Sequence, residues 1–518
     1  MLTPKQMQEI ADTLLPMIDD LNTWITQDMI RRMLARIGRG EAPMMTASDE
    51  WQAQVLQEAG GLLEDVQAEI QRFLPLSDAE IARIFEDAAI KSLDADNRVY
   101  TQAGARKLAL SRRMMDLVED AYRRTNGTLR NLTRTTAESS QKKFLRVLDA
   151  AHMKVMTGAQ SYTGAVRDAV MELAETQTQV VYPSGHVDSI ETAVLRAVRT
   201  GTAQASGNLS IQGMEENGWD LIRVSSHLGA RYGDGGQNPG NHFWWQGKLY
   251  TRTGKYPEYP PFVETTGYGT GEGLCGWNCR HSFGPGSEVF NPFKDYDADE
   301  NKKAYDLSQQ QRKMERRIRH SKGKLIGLKT AIDATEDPAA RAKLEEEYTR
   351  TAQKLKSQNE AYNQFCEDNG LKRYEDRLQV AKWNREQARK AIQAEKDRAK
   401  AIENVQSSIR NGEYPLLINV DKQQRHMLEY SKPGRSVVTI SLSELQDIVT
   451  QKAGTGELKF NKGTNDWSKK ETIDAGREIG YTLNREGLKV YTSRLKLHYS
   501  KTGIHAVPYS GGGKHEYS

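Results

Sequence analysis

Leu495-Lys496-Leu497-His498-Tyr499-Ser500-Lys501-Thr502-Gly503-Ile504-His505-Ala506-Val507-Pro508 is the stretch that decides how the C-terminal end of this chain folds. Side chains alternate along a strand, so Leu495, Leu497 and Tyr499 share one face while Lys496, His498 and Ser500 share the other. Keeping the apolar residues together fixes the register of a hairpin. Pairing Tyr499 with Ile504 places Leu497 opposite Ala506 and leaves a four-residue loop ending in Gly503, where glycine accepts the positive φ needed at the exit. The same register sets His498 directly across from His505, with Cβ atoms about 4.5–5.5 Å apart. A three-residue loop would oppose Tyr499 to His505 and mix the two faces, so the apolar pattern disfavours it.

Upstream of the hairpin the texture is that of a small α+β domain over residues 411–518. Tyr414–Val420, Ser436–Ile440 and Leu458–Phe460 join Arg494–Ser500 and Ile504–Pro508 as strand candidates. Ser441-Leu442-Ser443-Glu444 fits a capping box that opens a helix with Leu445, Ile448 and Val449 on its apolar face. The charge is uneven. Residues 410–518 carry 17 Lys+Arg against 12 Asp+Glu, leaving 56 against 57 for the rest, so an anionic partner is sought in this last fifth.

Two histidines facing each other on a basic surface suit metal-free RNA cleavage. One imidazole takes a proton from the ribose 2′-hydroxyl as it attacks the adjacent phosphate, and another acid protonates the departing 5′-oxygen. Lys and Arg stabilise the charge that builds on the phosphate oxygens. Lys422, Arg425 and His426 supply a second cationic cluster, and Ser500 shares the face of His498 and is suited to bond a phosphate. The competing reading is that the paired histidines are polar surface residues.

Several short segments add to this. Lys422-Gln423-Gln424-Arg425-His426, Gly434-Arg435-Ser436, Ala453-Gly454-Thr455-Gly456, Lys470-Glu471, Ile479-Gly480-Tyr481 and the closing hairpin occur in order. Together they resemble the type-50 polymorphic toxin domain over roughly residues 419–509. The resemblance implies a barnase–EndoU–colicin–RelE-like fold and a metal-independent ribonuclease with no cofactor. It places catalytic roles on His426, His498 and His505; Glu471 is read as orienting a histidine or accepting a proton, while Lys469 and Lys470 beside it suit a surface ion pair equally well. Lys422, Arg425, Arg435, Ser500 and Lys501 are the expected phosphate-binding set. Host RNA is then the substrate, and a cognate immunity protein a further partner.

The remaining chain is long enough for two or three more domains among 518 residues. No stretch approaches the ~18 uninterrupted apolar residues of a membrane span, and the first ten residues lack the apolar run of a secretory signal. Three cysteines exclude a disulfide framework and suit a reducing compartment. Residues 1–215 read as helices, with Ile10, Leu14, Ile18, Leu21, Ile25 and Met29 on one face and Gly38 and Gly40 as the stop. Further helices are expected around Leu62–Phe73, Asp78–Leu93, Phe144–Met156 and Ile190–Val198, with Ser77 to Glu80 as a capping box. Residues 296–410 read as a charged coiled-coil stalk, a folded-back hairpin or three helices, broken at Asp337-Pro338 and Asn369-Gly370. Its charge is expected to be a solvated face, and Cys366 a lone thiol within it.

Residues 216–295 are rich in glycine, proline and aromatics and lose helical periodicity; irregular segments of this length need something to hold them. Three blocks stand out: Ser226-His227-Leu228-Gly229-Ala230-Arg231, Asn241 to Lys248, and Gly273-Leu274-Cys275-Gly276-Trp277-Asn278-Cys279-Arg280-His281. His227, His242, Cys275, Cys279 and His281 exceed the four donors of a tetrahedral zinc. A structural zinc, hydrogen-bonded histidines with buried thiols, a Cys275–Cys279 disulfide and a catalytic Cys–His pair all remain open readings. The ordering of these blocks resembles the phage minor capsid protein 2 family, which implies a low-copy virion protein at the portal vertex or inside the capsid, with portal, capsid proteins and packaged DNA as partners and no membrane.

The sequence thus describes an α+β multidomain chain: a mainly helical region, an irregular middle, a charged stalk and a nuclease-like terminal domain. Its expected function is a portal-proximal minor capsid protein carrying a ribonuclease toxin, delivered with the DNA into the host cytoplasm. The alternative is a purely structural virion protein whose basic terminal domain contacts packaged DNA or the portal without catalysis.

Overall fold

A computed structural model describes residues 1–510 apart from 176, 177, 183, 432, 433, 462, 463, 485 and 486, and apart from the side chain of Asp49. The last eight residues of the expected terminal domain therefore lie outside the described residues. The chain divides into two compact units, Met1–Ala388 and Arg389–Ser518.

In the first unit the stripe at three- and four-residue steps enters one helix only from Leu15 onward: Ile10 caps the short helix Pro4–Glu9, and Leu14 closes the 3-10 turn Asp12–Leu14. Ile18, Leu21, Ile25 and Met29 are buried along the helix Leu15–Ile37, and Gly38 is its C-cap. The helix Ser48–Gln102 departs from expectation, because it runs unbroken through Pro75 and Ser77. Ser77 Oγ donates to the Leu74 carbonyl inside that helix, 2.8 Å away, and starts no new one. Buried Phe73 and Leu74 before the proline and Ile81, Ile84 and Phe85 after it keep one apolar face continuous, which overrides the local stop signal. Helices Arg112–Met156, Tyr162–Glu175 and Ile190–Glu216 complete this layer.

The charged helices Ala298–Ala334 and Pro338–Asp368 fold back on each other through a short link, with Asp337 capping the second and accepting from Ala340 N. Ile318 and Leu325, and Tyr348, Leu355 and Tyr362, are buried at their seven-residue spacing. The pair also lies against the N-terminal helices. A Cβ on Gly327 would come within 2.7 Å of Ala174 Cβ, and Arg319 Nη2 reaches Asp19 at 2.7 Å. Part of the charge is thus internal, with Glu315, Arg319 and Glu347 buried, in contrast to the solvated face the composition suggests. Cys366 is buried and accepts from Gln311 Nε2.

The glycine- and aromatic-rich stretch is more ordered than its lack of periodicity suggests. Strand Leu221–Val224 lies between Leu249–Thr251 and Phe283–Pro285 in an antiparallel sheet. Trp245, Tyr250, Phe262, Leu274, Cys275, Cys279 and Phe283 pack with Tyr100, Leu209 and Met214 of the helices in one core.

The second unit is α+β. Four antiparallel strands lie in the order Gly503–Pro508, Arg494–Ser500, Trp467–Asp474, Glu457–Phe460, and a second sheet orders Lys489–Thr492, Gly480–Leu483, Val437–Val438. The helix Leu442–Lys452 starts at the Ser441/Glu444 capping box. It buries Leu445 and Val449 with Ile473, Leu495, Leu497, Ile504 and Ala506, while Ile402, Val405 and Ile409 of the helix Arg385–Arg410 join the same core. Strands at Trp467–Asp474, Gly480–Leu483 and Lys489–Thr492 had no counterpart among the sequence candidates. Tyr414–Val420, by contrast, forms no strand; Ile418 makes a single parallel bridge to Ile504.

Candidate functional site

The hairpin takes the register that its apolar residues demand. Tyr499 pairs with Ile504, Leu497 with Ala506 and His498 with His505, and a further Ser500–Gly503 pair tightens the loop. Gly503 has φ +114°, and a Cβ there would meet the Leu417 carbonyl oxygen at 2.4 Å. Only glycine lets the preceding segment approach the strand this closely. Ile504 N donates to Leu417 O and Asn419 N donates to Ile504 O, so residues 417–419 cover the outer edge of the last strand.

From that edge the chain turns into the short helix Val420–Gln423, capped by Asn419, whose side chain accepts from Lys422 N. Gln423 is fully buried and bonds both backbone groups of Ala506, accepting from its N at 2.7 Å and donating to its O at 3.0 Å. The sequence reading passed over this residue. It clamps the turn that carries Lys422 and His426 over the histidine face of the hairpin.

Three imidazoles form a row. His498 and His505 stack with ring centroids 4.6 Å apart, and His426 lies parallel to His505 at 6.1 Å. His426 Nδ1 faces the Ser436 carbonyl at 3.2 Å; it carries the proton of that bond, which leaves Nε2 as the free nitrogen. Burial pushes His498 down to about 3, helped by His505, Lys470 and Lys496. His505 is pushed down to about 4 by burial, His426, Arg425, Lys422 and Lys470, and His426 is lowered by burial and by Arg425 and Arg435. Cations dominate this surface and, together with burial, disfavour protonation of all three rings.

The other expected residues divide. Lys470 pairs across from His498, and Glu471 therefore points to the opposite side of the sheet. Glu471 is fully buried and accepts from Gly454 N at 3.0 Å, Gly456 N at 2.6 Å and the Tyr499 hydroxyl. It neither orients a histidine nor forms a surface ion pair; it ties the loop 454–456 to the hairpin's core face. Ser500 Oγ donates to Gly503 O at 2.7 Å and accepts from Lys422 Nζ at 3.3 Å, so it steadies the lysine. Lys501 sits exposed in the hairpin turn, and Arg435 is exposed near His426.

The five Cys/His candidates of the first unit also gather. Donor atoms of His242, Cys279 and His281 lie within 4.8 Å of one another, and all three residues are buried. Cys279 Sγ is 3.7 Å from His281 Nδ1. The far nitrogens are committed to oxygens: His242 Nε2 to Glu272 O at 2.8 Å and His281 Nε2 to Gln246 Oε1 at 3.0 Å. Both rings thus turn Nδ1 away from those oxygens, that of His281 toward the Cys279 thiol, the orientation that metal-ligating histidines take from their outer partners. His227 stacks on His281 at 4.5 Å, and Cys275 Sγ lies 3.8 Å from His281 O. Both thiols are free, with no disulfide between them. Burial lowers His227 to about 4 and His242 to about 3 and raises both thiols. No described helix is long and apolar enough to cross a membrane.

Comparison with known proteins separates the same two parts. Residues 2–367 match the family model of phage minor capsid protein 2, and residues 418–508 match that of bacterial toxin 50. A structural protein of Lactococcus phage LL-H is 23% identical over 317 residues, which span 57% of this chain and 83% of the relative. No solved structure matches the chain.

Proposed function

Because this chain belongs to the phage minor capsid protein 2 family, and is therefore a structural protein of a virion with a toxin-family domain at its C-terminal end, we propose that this domain is a metal-independent endoribonuclease. The observation that carries the reading is the row His426–His505–His498 beside Lys422, Arg425, Lys470 and Lys496. The stacked pair His498–His505, neutral at pH 7, takes the proton of the ribose 2′-hydroxyl. The 2′-oxygen attacks the adjacent phosphorus, and the P–O5′ bond breaks. His426, whose protonation is disfavoured in the free site, takes up a solvent proton at Nε2 as the phosphate's charge arrives and gives it to the leaving 5′-oxygen, while its Nδ1–H stays on the Ser436 carbonyl. Lysine and arginine hold the charge on the non-bridging oxygens. The products are a 2′,3′-cyclic phosphate and a 5′-hydroxyl, and no metal enters the step.

In this reading the family region seats the chain among capsid proteins near the portal, and the terminal domain is cargo that reaches host RNA with the injected DNA. The test incubates the full chain with tRNA and mRNA in EDTA beside His426→Ala, His498→Ala and His505→Ala. Cleavage that survives chelation and disappears in the variants supports it. Intact RNA, with salt-sensitive nucleic-acid binding alone, returns the domain to a structural role.

For the Cys/His cluster we propose a structural zinc held by His242, Cys279 and His281, with Cys275 and His227 beside them. Its donor set suits zinc, and the anchored far nitrogens support it.

A further inference from the structure

The first unit contains a cavity of about 360 Å³ whose walls come from the helices Ile190–Glu216 and Ala298–Ala334, the histidine loops and the segment after Gly370. Eight arginines and three carboxylates line it, an excess of five positive charges. The carboxylates are already engaged. Asp12 binds Arg199 at 2.6 Å, Glu191 binds Arg319, and Glu315 accepts from the Tyr362 hydroxyl at 2.9 Å. Arg196 is paired with Asp188. Arg231 and Arg280 find only neutral oxygens, of Trp277, Gln8 and Gly229, and Arg377 stacks on Tyr374.

Arg312 is the most exposed to this imbalance. It is pushed down to about 10 by burial and by Arg280, Arg377 and Arg199, with Glu315 the one charge in its favour. Like charges drawn out of water without counter-charges cost several kcal/mol each in general, and a fold does not gather them for its own stability. Guanidinium forks converging from separate elements match the oxygens of a phosphate, which accepts two parallel bonds from each.

We propose that this cavity binds a phosphate-bearing ligand, either a small free polyphosphate or the terminal phosphate of a nucleic-acid strand, through Arg231, Arg280, Arg312 and Arg377. This lies beyond the nuclease reading and is independent of it, since every lining residue belongs to the first unit. Occupation would join the histidine loops to the two arginine-bearing helices, so binding stabilises that unit.

The experiment uses the full chain in phosphate-free buffer at low salt. Inorganic pyrophosphate, a 5′-phosphorylated DNA dinucleotide and the same dinucleotide with a 5′-hydroxyl are titrated by calorimetry, and thermal unfolding is followed in parallel. Saturable binding of pyrophosphate with a raised Tm is expected. Preference for the 5′-phosphorylated over the hydroxyl dinucleotide identifies a strand end as the source, whereas pyrophosphate binding alone identifies a free anion. Arg312→Gln and the double variant with Arg280→Gln are expected to bind about tenfold or more weakly, as loss of a charge-assisted bond implies. Without ligand, Arg312→Gln is expected to unfold at the same or a higher temperature, because repulsion is relieved. Failure of both phosphate probes to bind overturns the proposal. So does an Arg312→Gln protein that melts lower and binds as before, since the arginine would then be structural.

Discussion

His498 and His505 face each other across adjacent antiparallel strands with their rings 4.6 Å apart and 20° from parallel, and neither ring has a carboxylate among the charges that shift it. Stacked imidazoles in a cationic surrounding resist protonation, and several measurable consequences come from that.

Acid should destabilise the terminal unit through these rings. Both histidines titrate lower when folded, about 3 and about 4, than at the ordinary value of 6.5. Between those limits the unfolded chain binds more protons, so stability is fully present above about pH 6.5 and is lost as pH falls toward 4. His426, Lys422, Arg425, Lys470 and Lys496 face the pair and act in the same direction. Urea unfolding from pH 7.5 to 4.5 should show a smaller loss for His498→Gln than for the parent chain; an equal loss would contradict the assignment.

Gln423 should matter far more than a surface glutamine. Replacing it by alanine leaves both backbone groups of Ala506 without their partner, a cost of about 1–3 kcal/mol. It also frees the turn that carries His426. A lowered urea midpoint and reduced RNA cleavage are expected together, and Gln424→Ala serves as the nearby control.

Glu471 should behave as a structural clamp. Glu471→Ala removes the acceptor for two backbone N–H groups and the Tyr499 hydroxyl and should cost about 3 kcal/mol or more. Glu471→Gln should recover part of that stability and, with it, the activity. A Glu471→Gln protein that folds fully yet cleaves nothing would restore a chemical role.

Zinc should be found near one equivalent per chain in protein purified without chelator. Cys279→Ser and His281→Ala should lose it, and a chelator should lower the melting temperature of the first unit. Protein with an unchanged melting temperature and no zinc would leave the cluster as a hydrogen-bonded network.

The hairpin was legible because period-two alternation admitted one register that kept Leu495, Leu497, Tyr499, Ile504 and Ala506 on a common face. The long helix was misread for a comparably local reason: Pro75 and Ser77 carry a stop signal, and only the packing on both sides shows it to be overruled. Glu471 looked solvent-facing beside two lysines. Its role emerges once Trp467–Asp474 is seen as a strand, and Lys469, held at φ +59°, disguises that strand. Gln423 could have been suspected from the need to cover the outer edge of the last strand, although nothing in its neighbours names the partner. The arginine cavity draws its arginines from five separated segments, and no window of sequence contains it.

The most direct measurement is the chemistry of the cut ends. RNA incubated with the full chain in EDTA is analysed by mass spectrometry, beside His498→Ala and His505→Ala. Metal-independent transesterification yields 5′ fragments ending in 2′,3′-cyclic phosphate and 3′ fragments beginning with a 5′-hydroxyl, and these are expected to be absent from both variants. Fragments carrying 5′-phosphate, or cleavage that requires added divalent metal, would contradict it.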